Sequence, residues 1–216
     1  MAEATRDRAV KQRLKVAPIA FYSGNVSDFA PQVAMARDAQ AEAWIAFSEV
    51  RDAADMLRTF KRLDYAPRLF FARASAQPKL IALVGQDAER ALGALEYHAR
   101  LGTPGNDRFV SAFARKWASR PGPAAAAGYA AATVLAEAVR RAGSLDQDKL
   151  RETLSRAEIP TVLGRYKVEP ASGAQVGMQP AVTQILKGRP EVVWPAGLET
   201  AKRLPYQEWH ERRLLK

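Results

Sequence analysis

Between Lys15 and Tyr97 the chain alternates short β-prone runs with segments of helical periodicity, and this limits the folds open to it more than any other feature. Lys15 to Tyr22 (KVAPIAFY), Ala43 to Phe47, Arg68 to Phe71 and Leu92 to Tyr97 are mostly apolar and read as strands. The first of them is expected to be buried, and Ser23-Gly24-Asn25 closes it with turn residues. Helices are predicted from Ser27 or Asp28, over Arg51 to Leu63 and near Gln77 to Leu83; Pro31 falls in a first turn, where its missing N–H is harmless. A further helix, Ala2 to Leu14, comes before the first strand. Strands that alternate with helices of this length form βαβ units, hence a parallel sheet with helices on both faces.

After Gly102-Thr103-Pro104-Gly105 the rhythm changes, which places a boundary near residue 101. Asn106 to Ser119 and Ala124 to Ala142 are consecutive helices without a strand between them. The second is predicted to bury Ala131, Leu135, Ala138, Val139 and Ala142 and to stop at Gly143. Trp117, four residues from Phe113 and eight from Phe109, is expected in the core, and so is Tyr129. A third helix follows, capped by Ser144 or Asp146. Thr161 to Val168, Gln179 to Leu186 and Val192 to Trp194 then read as strands that extend a sheet whose other strands lie outside this sequence.

Chemistry-bearing patterns are sparse. There is no cysteine, so disulfides, thiolate metal sites and cysteine nucleophiles are excluded, and His98 and His210 are the only histidines. No phosphate-binding glycine loop, nucleophile elbow or metal-spaced cluster occurs, so neither an enzyme, a cofactor nor a bound metal is expected, and no catalytic residue is assigned. His98 is expected to be a polar strand-end residue. The net charge of +10 invites a nucleic-acid reading. Its basic residues are scattered, however, with only small clusters at Arg140-Arg141, Lys187 to Arg189 and Arg212-Arg213 and no interleaved aromatics to stack on bases, so no nucleic-acid partner is expected. Asn25-Val26-Ser27 fits a glycosylation sequon too short to carry weight. No stretch is long and apolar enough for a membrane helix, and the charged run Met1 to Lys15 is unlike a signal peptide.

Open parallel sheets bind ligands at the carboxyl ends of their strands, where strand-to-helix loops converge and helix N-termini carry partial positive charge. That rule selects Tyr22 and Ser23, Ser48 and Glu49, Phe71 and Arg73, and Tyr97 as ligand-binding residues.

Longer motifs carry a resemblance. Ala126-Ala127-Gly128-Tyr129-Ala130-Ala131 followed by VLAEAVRRAGSLDQDKLRETL, then TVLGRY at Thr161 to Tyr166 and QILKGRPEVVWP at Gln184 to Pro195, resemble the type I periplasmic binding proteins of the leucine/isoleucine/valine-binding family. YSGNVSDF at Tyr22 to Phe29, DAADMLRTFKRLDYAPRLFF, and PYQEWHERR with Trp209 and Arg212 are similar to further family segments. The resemblance implies an α/β, parallel-sheet type I fold of two lobes with a ligand in the hinge cleft, one lobe nearly complete here and the other partial. Residues 1–101 would form most of the C-terminal lobe without its first strand, 102–195 part of the N-terminal lobe, and 196–216 a tail returning to the first lobe.

The implied function is the solute-binding component of an ABC importer for amino acids or related small carboxylates, periplasmic and partnered by a permease in the full-length form. The alternatives are a ligand-sensing domain of a regulator or receptor, or an inactive remnant. Family members begin with a strand-rich segment that has no counterpart here, nor is there a signal peptide, so a fragment or truncated frame is expected. Apolar surface left without that segment, between Ala124 and Trp194, favours self-association. Where the family's amino-acid binders carry a carboxylate after the third strand of this lobe, the sequence reads Phe71-Ala72-Arg73. A guanidinium there favours an anion without a free amine, unless Glu49 is its salt-bridge partner.

Overall fold

The computed structural model, which describes residues 1–24, 26–209 and 211, builds its central sheet from strands that the alternation predicts and from two that it assigns elsewhere. Helix α1 spans Ala2–Lys11 and α2 spans Ala30–Asp38. There follow β1 (Ala43–Ala46), α3 (Val50–Arg62), β2 (Leu69–Ala72), α4 (Pro78–Val84) and β3 (Leu92–Leu95). β1 pairs with β2 in parallel, Ala43 to Ala46 against Leu69 to Ala72, and β2 pairs with β3 in parallel through Phe71 and Leu92.

The face that α3 buries, Ala53, Ala54, Met56, Leu57 and Phe60, follows helical spacing and closes over the sheet. Phe60 sits at the centre of an aromatic cluster. Its ring meets Trp44, Tyr65 and Phe70 edge-on at 4.8, 5.1 and 5.3 Å, the geometry that ring quadrupoles favour.

The late strands correct the sequence reading. β6 (Ala181–Leu186) and β7 (Arg189–Trp194) join this same sheet in the order β1-β2-β3-β6-β7, rather than a sheet outside the sequence. Arg90 N–H donates to Ile185 O at 2.7 Å, Ile185 N–H donates to Ala91 O at 3.0 Å, and Thr183 Oγ1 reaches Gly93 O at 3.5 Å, so β6 runs antiparallel to β3. The open side of β3 thus takes a hairpin, which needs no crossover helix and leaves no trace in a strand–helix alternation. Lys187 and Gly188 connect β6 to β7 with φ of 52° and 67°, a two-residue turn whose twist matches the strands. The Glu89 carboxylate accepts both turn amides, at 2.7 and 3.1 Å.

Lys15 to Tyr22 is a second correction, because it forms no strand; it is irregular and largely exposed, with Phe21 76% accessible. A strand requires a neighbour for its backbone groups. Among the described residues β1 is at the edge of the sheet and pairs only with β2, and Pro18 has no N–H to offer.

The chain divides into two units, of which the first comprises Met1–Ala94, Val182–Val193 and the described residues from Ala201 on. The second comprises Leu95–Ala181 and Trp194–Thr200, so the first division falls at Ala94 and not near residue 101. The C-terminal segment is tied to unit 1 by backbone acceptors. Ala201 N–H donates to Val192 O at 3.2 Å, Arg90 Nη1 to Pro205 O at 3.0 Å, and Trp209 Nε1 to Tyr65 O at 2.7 Å. Asn25, His210, Arg212 and Arg213, singled out in the sequence, lie outside the described residues.

Unit 2 contains α5 (Asn106–Trp117), α6 (Pro123–Ala142) and α7 (Gln147–Arg156), followed by a hairpin of β4 (Ile159–Thr161) and β5 (Gly164–Tyr166) where one strand, Thr161 to Val168, was expected. Its core gathers Tyr97, Phe109, Ala126, Ala130 and Val162. Asp146 caps α7, its Oδ1 accepting Lys149 N–H at 3.0 Å. α6 is apolar nearly all round, but only one side of it is covered. Ala126, Ala130 and Ala138 are buried, whereas Ala131 and Leu135, expected inside, are exposed, Leu135 to 54%. Trp117 and Tyr129 are also exposed, although Tyr129 stacks on Phe109 at 4.6 Å. The reason is architectural: the only sheet in unit 2 among the described residues is this two-stranded hairpin, too small to cover both faces of α6. No helix of the described residues is long and apolar enough to cross a membrane.

Candidate functional site

The register that sets Ala46 beside Ala72 brings the loops leaving β1 and β2 out side by side on unit 1. Tyr22, Ser23, Ser48, Glu49, Phe71 and Arg73, all selected by the strand-end rule, belong to this unit. β1 passes into α3 within a few residues because Glu49 and Asp52 form a capping box at the helix N-terminus. Asp52 Oδ2 accepts the Glu49 N–H at 3.2 Å and the Tyr22 phenol at 3.1 Å, so one carboxylate fixes both the start of α3 and the tyrosine. Asp52 is absent from the sequence expectation. Its signal was there: an acidic residue three positions after Glu49, at the opening of an apolar-periodic helix.

Tyr22 also packs edge-on against Phe29, at 5.1 Å. Burial pushes its pKa up to about 12, helped by the Asp52 charge and hydrogen bond, with only the nearby Ser48 hydroxyl pulling it down. Ser48 is 3% exposed, and its Oγ makes no well-aligned hydrogen bond despite lying beside that phenol. Ser75, in the 3-10 turn Arg73–Ala76 after β2, is likewise buried with an unpaired hydroxyl.

Arg73 Nη2 donates to Glu49 Oε1 at 2.5 Å, and the two side chains are 46% and 75% exposed. Glu49 is therefore the partner of Arg73, which the sequence left as one of two outcomes. At such exposure an ion pair contributes only about 0–1 kcal/mol. Phe71 is half-buried on β2 itself, and Ser23 is exposed in the turn after Tyr22.

Tyr97 departs from the expectation. It belongs to unit 2, where its ring is buried against Phe109 at 6.3 Å and its hydroxyl donates to Asn106 Oδ1 at 2.9 Å. Burial pushes its pKa up to about 12. Asn106 also donates to Leu101 O at 2.9 Å, so the pair closes the 97–106 loop. His98 Nδ1 accepts the Arg100 N–H at 3.2 Å.

Among the described residues no group of three or more His, Asp or Glu is placed to hold a metal. What the unit 1 cluster can do is recognise charge, with a guanidinium, two carboxylates and a phenol held around the start of a helix.

Residues 1–190 match the family described as periplasmic binding protein. The chain belongs to that family. A leucine-binding protein of Thermotoga maritima has a TM-score of 0.72 at 22% identity, covering 92% of this chain and 56% of its own. A branched-chain amino acid ABC transporter periplasmic ligand-binding protein of Burkholderia xenovorans gives 0.76 at 15%, covering 90% and 54%. An ABC transporter solute-binding protein of R. palustris, in complex with benzoate, gives 0.67 at 14%, covering 95% and 55%. At these identities the likeness concerns fold: this periplasmic binding protein has the mixed α/β, largely parallel type I architecture. It spans just over half the length of the structures it matches.

Proposed function

We propose that this periplasmic binding protein chain is the solute-recognising portion of an ABC importer's binding component, taking an amino acid or a related small carboxylate. Unit 1 would be the C-terminal lobe and unit 2 part of the N-terminal one, with a periplasmic location and a permease as partner. The observation that carries the reading is the cluster of Tyr22, Glu49, Asp52 and Arg73 around the carboxyl ends of parallel strands, the end of an open α/β sheet at which ligands bind. Relatives named for leucine binding and crystallised with benzoate fit the same ligand class.

Isothermal calorimetry and thermal melting of the 216-residue chain with leucine and with benzoate test it. A ligand present at about 100 times its Kd stabilises the folded state by roughly 2.7 kcal/mol. Saturable binding of at least one of the two is expected. Failure of both to bind or to raise the melting temperature overturns the reading.

A further inference from the structure

We propose that Arg73, oriented by Glu49, selects the ligand of this site by charge, favouring a carboxylate with a single negative charge over a dicarboxylate. The inference rests on the solute-binding reading and narrows its ligand class. A guanidinium carries five N–H donors in a planar fork. The structure engages Arg73 through Nη2 alone, on one oxygen of Glu49, so Nε and Nη1 have no partner among the described residues. Arg73 is thus steered by its ion pair without being saturated by it. The open donors can receive a carboxylate in the bidentate manner that gives such contacts their strength and direction.

Glu49 is the N-cap of α3 and belongs to the capping box with Asp52, which ties its backbone to the start of the helix beside Arg73. Its charge offsets that of Arg73, and Asp52 adds a second carboxylate beside it. One ligand carboxylate therefore meets an oriented guanidinium, whereas a second one on the same ligand meets Glu49 and Asp52. Like charges placed together cost affinity and supply discrimination. Ser48, buried next to Tyr22 with an uncommitted hydroxyl, is another polar group that the fold leaves unsatisfied in this cluster. The selectivity runs against the chain as a whole, whose net charge of +10 attracts dianions more strongly than monoanions.

Calorimetry of the full 216-residue chain with benzoate and with phthalate, the same ring carrying one and two carboxylates, reads this out near neutral pH and physiological salt. Benzoate should bind at least ~10-fold more tightly than phthalate, which one unfavourable charge contact is sufficient to produce. Arg73→Gln should weaken benzoate by roughly 10- to 100-fold, the range for hydrogen bonds to a charged group. Arg73→Lys, which keeps the charge and loses the fork, should fall between wild type and Arg73→Gln. Glu49→Gln, which removes the repelling charge, should bring phthalate to within ~3-fold of benzoate. Circular dichroism melts identify any variant that has lost its fold, and the lysine variant then carries the Arg73 test. Equal wild-type binding of both acids, or benzoate binding that survives both Arg73→Gln and Arg73→Lys, overturns the selector. Binding of leucine but not benzoate overturns it while leaving the solute-binding reading intact, and binding of none of the three overturns both.

Discussion

Replacing Gln184 with methionine should cost this chain a large part of its stability, although no charge and little volume are lost. Gln184 on β6 is almost fully buried, and its amide serves three backbone groups. Nε2 donates to Arg90 O at 3.0 Å and to Leu204 O at 2.7 Å, while Oε1 accepts Leu204 N–H at 2.9 Å. Methionine fills similar space but satisfies none of them. A buried polar group left unpaired costs about 1–3 kcal/mol, and water reaching the partly buried carbonyls recovers some of that, so a net loss of about 3 kcal/mol is expected for Gln184→Met. At roughly 2–4 °C per kcal/mol for a chain of this size, the melting temperature should fall by about 6–12 °C. Circular dichroism melting and urea unfolding followed by tryptophan fluorescence measure it. Thr183→Val, one residue away, removes only the 3.5 Å contact to Gly93 O and is the control. A Gln184→Met protein melting within ~2 °C of wild type would refute the packing of the C-terminal segment, through Leu204, against β6 of the first unit's sheet.

Tyr22 and Tyr97, both pushed up to about 12, should ionise well after an exposed tyrosine near ~10. Because folding favours their neutral forms, the stability they contribute is complete below the unfolded value of about 10 and is lost as pH rises toward 12. Ultraviolet titration of wild type, Tyr22→Phe and Tyr97→Phe checks this, and a late step unchanged in both variants would contradict it. Leu135→Ser on the open face of α6 should alter stability by less than ~0.5 kcal/mol, whereas Ala138→Leu on the covered face should cost about 1–3 kcal/mol through overpacking. Equal effects in thermal melts would mean that both faces of α6 are covered.

The sequence was most informative where the decisive pattern is local. The β1-α3-β2 run could be read because apolar spacing on α3 and short apolar strands are properties of neighbouring residues, and their limits shift by only a residue or so. Lys15 to Tyr22 has the composition of a strand, but composition does not say whether another strand lies alongside. α6 presents two apolar faces to any periodicity argument, and only the surrounding architecture decides that Ala130 is covered and Leu135 is not. The partner of β6 lies about ninety residues earlier, at Arg90 to Gly93, a separation that no local pattern spans. At the candidate site, the strand-end rule selected Glu49 and Arg73 but left their pairing open. It also passed over Asp52, whose importance comes from Tyr22, a residue distant in sequence. Tyr97 satisfied the same rule, yet burial and Asn106 occupy it.

The claim that unit 1 recognises a small carboxylate where β1 and β2 end is tested most directly by amide-resolved NMR of the chain during titration with benzoate. The account predicts saturable shifts concentrated at Ser48 to Asp52 and Arg73 to Ser75, with the Arg73 side-chain signals among the most affected. Saturable shifts that leave both of these segments unmoved would contradict it.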